Sequence, residues 1–241
     1  TNTLLLVWFT KWIAQIVSWI IPTPNNQEKE VFRLKYISAG PLATPELSVE
    51  QAFEEIIHFA NISKNGANYA QNAINEADTD NFEELRGKLV KYEEISDRIE
   101  YEIAAFLNGV SAEAVFENTS IKIKSMYKII GELESLGDSC ETISRILSRK
   151  NIHNKKFDAD AVKNLNTMAD AVAVAYDVMI DNLVAAKKGE LNNISNAYAA
   201  EETLNLLRND VRDAMIEDID NDGKNYQASV YYMDIINAYE K

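Results

Sequence analysis

Glu134 and Asp138, in the stretch Gly131-Glu132-Leu133-Glu134-Ser135-Leu136-Gly137-Asp138-Ser139-Cys140, are the first residues here whose type and spacing could do chemistry. On a helix, positions four apart sit about 40° apart and one turn along, so both carboxylates project from one face, which Glu141 widens to three acids. Unpaired, such neighbours repel by about a few tenths of a kcal/mol, and a cation would offset that. Glu93 and Asp97 repeat the spacing one helix earlier, with Glu100 on the same face. The apolar stripe Leu85, Leu89, Tyr92, Ile99, Ile103 is centred about 80° from Glu93, and the stripe Met126, Leu133, Cys140 about 110° from Glu134. Both pairs therefore flank the core. Two helices packed through those stripes would gather four carboxylates at the groove edge, hard oxygen donors suited to a divalent or trivalent cation. The bland reading is a solvated acidic face, since 26% of the chain is charged. Gly137 adds to the argument: at about 1 kcal/mol less favourable than Ala in a helix interior, it asks for close approach of another backbone or a ligand.

The elements that must position these acids are helical. The 241 residues are 46% hydrophobic with only 8 Gly and 4 Pro, which points to an all-α globular class with room for a sizeable core. A formal charge of −14 disfavours nucleic acid, whose phosphates need clustered Lys and Arg. The single cysteine, Cys140, excludes an internal disulfide framework and reads as a small core residue. The two histidines, His58 and His153, lack the usual zinc spacings.

Along the chain, Leu4 to Ile21 contains all three tryptophans and Lys11 as its one charge. It reads as the end of a membrane-spanning helix turning interfacial, with Leu4, Leu5, Leu6, Trp8, Phe9, Trp12 and Trp19 against lipid. Residues 1–21 thus form a membrane-proximal apolar helix and 22–46, with Pro22, Pro24, Pro41 and Pro45, a linker. A first helix capped by Thr44 or Ser48 runs to about Asn75, and Asp78-Thr79-Asp80 turns into a second, closed by Asn108-Gly109. A third starts near Ser111 and reaches about Arg149. A second set follows: Asp158 to Lys188 with Gly189 as its stop, Glu190 to Asp218, and Tyr226 onward. The expected fold is two tandem antiparallel three-helix bundles, 47–150 and 151–241. Sliding by 108 lays Glu201 and Glu202 on Glu93 and Glu94, and sliding by 106 lays Glu240 on Glu134. Asn205 falls where Asp97 was, so a second site would bind more weakly. Asp218 to Gly223 matches the opening of an EF-hand loop, but its twelfth position is Ser229 rather than Glu, so the segment reads as a turn.

This two-unit pattern, with Glu93-x-x-x-Asp97 in a second helix and Glu134-Ser135-Leu136-Gly137-Asp138 in a third, resembles the PhoU family, whose third-helix motif is often Glu-Arg-Ile-Gly-Asp. The resemblance covers about Leu47 to Lys241. Upstream, Asn2 to Leu6, Leu34-Lys35-Tyr36 and Pro41-Leu42-x-Thr44-Pro45 resemble the join between the last membrane helix and the PhoU-like tail of bacterial sodium/phosphate cotransporters. The resemblance implies a C-terminal, cytosolic regulatory module for phosphate uptake at the inner membrane, with the transporter domain of the same protein ahead of it. It implies iron, zinc or manganese at Glu93, Asp97, Glu134 and Asp138, with Glu201 as candidate for a degraded second site. Ser135 stands where the family often has Arg. A homo-oligomer stays open, and no catalytic residue is expected. The rival enzyme class, a ferritin-like di-metal carboxylate bundle, needs two Glu-x-x-His motifs; Glu55 precedes His58 correctly, but Lys150 precedes His153. A metal-free helical scaffold is the third reading.

Overall fold

A computed structural model describes residues 34–37, 44–111, 116–222 and 226–240, leaving aside the side chains of 217–222. Six helices and no strand occur among them: α1 Pro45–Asn75, α2 Phe82–Ser111, α3 Glu117–Ile152, α4 Ala159–Lys188, α5 Ser195–Asp222 and α6 Tyr226–Glu240. The chain is all-α. Its punctuation follows local chemistry. Thr44, in extended backbone, accepts the Leu47 N–H on Oγ1 at 3.4 Å, and Pro45 occupies the first turn, where no donor is needed. Asp158 caps α4 by accepting the Ala161 N–H at 2.7 Å. Gly189 ends that helix at φ 72°, and the N–H of Glu190 returns to the Ala185 carbonyl at 2.9 Å, the left-handed closure that favours glycine.

Three boundaries differ from the sequence expectation. The second helix continues through Asn108-Gly109 to Ser111, whose hydroxyl donates back to the Leu107 carbonyl at 2.9 Å instead of capping the next helix, which starts at Glu117. α5 starts at Ser195 and not Glu190, because the Asn193 side chain accepts the Ser195 N–H at 3.1 Å and holds the preceding residues out of the helix. α5 also runs on to Asp222, through most of the expected turn.

Helices α1, α2 and α3 each pack on the other two, α4 lies along α1, and α6 packs on α3, α4 and α5. A single apolar cluster draws on all six, including Ala70 and Ile74 of α1, Leu89 of α2, Leu147 of α3, Leu165 of α4, Val211 of α5 and Tyr232 of α6. Burying such side chains is the main stabilising term, about 1.5–3 kcal/mol for each large one. Polar pairs fix the α1–α4 register: the Ser63 and Tyr176 hydroxyls share a buried hydrogen bond of 2.9 Å, and Gln71 donates to Asp170 at 2.8 Å. Lys150 is fully buried, its Nζ bonded to Asp78 at 2.7 Å and 5.1 Å from the Phe157 ring centre. Part of the expected linker is docked. Glu55, buried in α1, accepts the backbone N–H of Tyr36 at 2.6 Å and of Ile37 at 3.3 Å, and the Tyr36 ring meets His58 edge-on. The membrane-contact expectation at Leu4, Leu5, Leu6, Trp8, Phe9, Trp12 and Trp19 lies outside the described residues. Among the described residues, no helix is long and apolar enough to cross a membrane.

Gly137 shows why it is glycine. A Cβ built there would stand 2.7 Å from Ser96 Oγ and 3.0 Å from Ser96 Cβ, so α2 and α3 touch at this level with no room for a methyl group. Gly137→Ala gains about 1 kcal/mol of helix propensity but must push the helices apart, which costs about 1–3 kcal/mol. Urea unfolding should therefore show Gly137→Ala no more stable than the parent, and Gly137→Ala with Ser96→Gly should recover stability over Gly137→Ala alone.

Candidate metal centre

The Ser96–Gly137 contact sets what stands beside it. Asp97 follows Ser96 and Asp138 follows Gly137, so this tight contact of α2 and α3 has an aspartate from each helix beside it. Glu93, one turn before Asp97, completes the group: one carboxylate oxygen from each of Glu93, Asp97 and Asp138 lies within 4.8 Å of the others. Oxygens bound to one ion at about 2.0–2.5 Å lie no more than about 5 Å apart, so the three could hold a metal ion together. Glu93 is half-buried, while Asp97 and Asp138 are exposed, which leaves further coordination positions open to water.

Electrostatics describe the same cluster. Burial first, and then the charges of Asp97, Asp138, Glu141 and Glu94, push the Glu93 carboxyl above its ordinary value of 4.5. Burial, followed by Asp138, Glu100, Asp97 and Glu93, pushes Glu134 up in the same way. Each of these influences disfavours the negative charge, and a bound cation would act against all of them.

Of the expected ligands, the structure brings Glu93, Asp97 and Asp138 together. Glu134 stands on the flank of the group, close enough to feel three of its neighbours' charges but not one of the three converging acids. Glu201 is exposed on α5 and joins no group of three such ligands among the described residues. Glu240 accepts from Arg208 Nη1 at 2.5 Å. Glu141, which the helical spacing puts on the acidic face, is held by Arg145 Nε at 2.9 Å. Cys140 is buried, and burial raises its thiol to about 12, which keeps it neutral and unreactive. Sequence reasoning missed Ser96, the knob that fills the space at Gly137; a small residue one position before Asp97 was the available signal.

The raised carboxyls give a pH dependence with a definite sign. The folded chain holds the Glu93 and Glu134 protons more tightly than the unfolded chain, so these groups cost nothing well below the ordinary value of 4.5. The cost appears as pH rises above it and is complete once both ionise in the folded state. In chelator-treated protein, Glu93→Gln/Glu134→Gln should melt higher than the parent at about pH 7.5, with the difference shrinking towards about pH 4. A difference independent of pH would show that the two carboxyls are not strained by their surroundings.

No family model, no curated protein and no solved structure matches the chain.

Proposed function

We propose that this chain is a cation-binding regulatory module in which one metal ion, held by Glu93, Asp97 and Asp138 with Glu134 beside them, fixes the packing of α2 on α3. The observation that carries the reading is the convergence of three carboxylate oxygens within 4.8 Å beside the tight Ser96–Gly137 contact. Hard oxygen donors suit iron(III), manganese or zinc, and the ion would supply positive charge where every neighbouring charge is negative. The module acts by binding, not by turnover. A cation biases the helix packing by its different affinity for two arrangements, and that packing is what an attached protein reads.

The fold is read as two related three-helix units, α1–α3 and α4–α6, as the resemblance to PhoU proteins implies. Three pairs related by the sequence offsets support it, because both partners in each are buried: Ile103 with Val211, Met126 with Tyr232, and Ile130 with Ile236. The same offsets give the two units different charge chemistry. Arg208 stands at the position of Glu100 and bonds Glu240, the counterpart of Glu134. In the first unit the corresponding pair is two acids, and Glu100 helps to raise Glu134. The second unit carries its own cation and the first takes one from solution. In this reading the chain is the cytosolic tail of a bacterial sodium/phosphate cotransporter at the inner membrane, and it tunes phosphate uptake. The ferritin-like alternative loses its one intact motif, because the Glu55 carboxylate is engaged by the backbone of Tyr36 and Ile37.

Melting with and without iron(III), zinc or manganese tests the proposal. At a hundredfold excess over Kd, the preferred ion should raise the parent Tm by roughly 5–10 °C and leave Asp97→Asn/Asp138→Asn unmoved. The same rise in parent and variant would refute the site, and no rise with any ion would favour the metal-free scaffold.

A further inference from the structure

A cluster of basic side chains lines the α2–α3 seam about one to two helical turns from the acids. Arg86, in the second turn of α2, faces Thr142, Arg145, Ser148 and Arg149 of α3 across an open cleft of about 440 Å³. Positions 142, 145 and 149 recur at helical spacing, so the α3 wall of this cleft is one continuous stripe. In a chain of net charge −14, three guanidiniums and two hydroxyls line one recess. Arginine presents about five N–H donors in a planar fork that matches the tetrahedral oxygens of a phosphoryl group.

Few of those donors are used. Arg86 gives Nη1 to Glu83 at 3.0 Å, while its Nε is buried without a hydrogen-bond partner. Arg145 gives Nε to Glu141 at 2.9 Å and Nη2 to the Thr142 hydroxyl at 2.8 Å. Arg149 has Nη2 3.6 Å from Asp234 of α6, beyond hydrogen-bonding distance. These pairs are at the surface, where an ion pair contributes little, so a better-matched anion can compete for the same guanidiniums. At about 30 Å³ per water molecule the cleft holds about a dozen waters, room for an anion of two phosphoryl groups.

We infer that the cleft between Arg86 and the Thr142–Arg149 stripe is a binding site for a small phosphoryl anion, inorganic phosphate or pyrophosphate. Bidentate guanidinium contacts would come from both helices, with Thr142 and Ser148 donating from α3. The site shares no ligand with the cation site, since it uses none of Glu93, Asp97, Glu134 or Asp138.

Calorimetric titration of the full chain with sodium pyrophosphate and with inorganic phosphate, against sodium chloride at matched ionic strength, tests this. Pyrophosphate should bind more tightly than phosphate and chloride should be silent. Arg86→Gln/Arg145→Gln should weaken pyrophosphate binding at least about tenfold. Ser148→Asp puts a carboxylate into the recess without breaking an ion pair and should weaken it as well, which covers the case in which the double variant does not fold. Asp138→Asn, which removes a proposed cation ligand but no residue of the cleft, should still bind pyrophosphate in the absence of metal, so the loss of one site is distinguishable from the loss of the other. Absence of pyrophosphate binding to the parent, or unchanged affinity in folded Arg86→Gln/Arg145→Gln and Ser148→Asp, would overturn the inference.

Discussion

The contact between Ser96 and Gly137 is the constraint from which the charge arrangement follows. Two helices that meet with a serine on a glycine come closer than two helices carrying larger side chains there, and the residues next in sequence are then forced into one another's company. Those residues are Asp97 and Asp138. Apolar burial could have been satisfied by a slightly wider spacing, since Leu133 and Ile99 are fully buried on the inner side of the same helices whatever stands at the rim. A close approach that raises Glu93 and Glu134 above the ordinary carboxyl range works against folding at neutral pH.

Charge is treated differently elsewhere in the molecule. Lys150, the most deeply buried cation, has Asp78 at 2.7 Å and an aromatic ring beside it. Glu55, the buried acid, takes two backbone N–H groups. Arg208 answers Glu240. Lys150 and Arg208 are each compensated by an acid, as burial in a weakly polarisable interior demands, while Glu55 has donors on Oε2 and none on its buried Oε1. The acids around Glu93 differ from these in repelling one another.

Much of this was legible in the sequence, and the reasons are particular. Helix limits set by side-chain chemistry were readable: Thr44 as one of two candidate caps, the start of α4 at about Asp158, Gly189 as a stop. Limits set by competition were not, because whether Ser111 caps a new helix or bonds back into its own depends on where the neighbouring chain runs. Spacing alone placed Glu93, Asp97 and Asp138 on faces beside the core. It could not separate Asp138, which converges, from Glu134, which stands on the flank, because one turn of α3 at 5.4 Å decides between contact and proximity. The arginine cleft was invisible for a similar reason: Arg86 belongs to a different helix from Arg145 and Arg149, and the overall acidity of the chain argued against any basic cluster.

The acids and the arginine cleft are joined by one ion pair. Glu141 accepts from Arg145, which lines the arginine cleft, and the charge of Glu141 also bears on Glu93. An anion that draws the Arg145 guanidinium to itself leaves Glu141 less compensated, which deepens the negative potential at the acids and favours a cation there. Linkage requires the converse: a cation at the acids that draws on Glu141 loosens its hold on Arg145 and frees a donor for an anion. The surface location of the pair limits the size of this coupling, since solvent screens it. Its sign is fixed by charge alone: if both proposed sites bind, a cation and a phosphoryl anion on the α2–α3 seam favour each other without sharing a ligand.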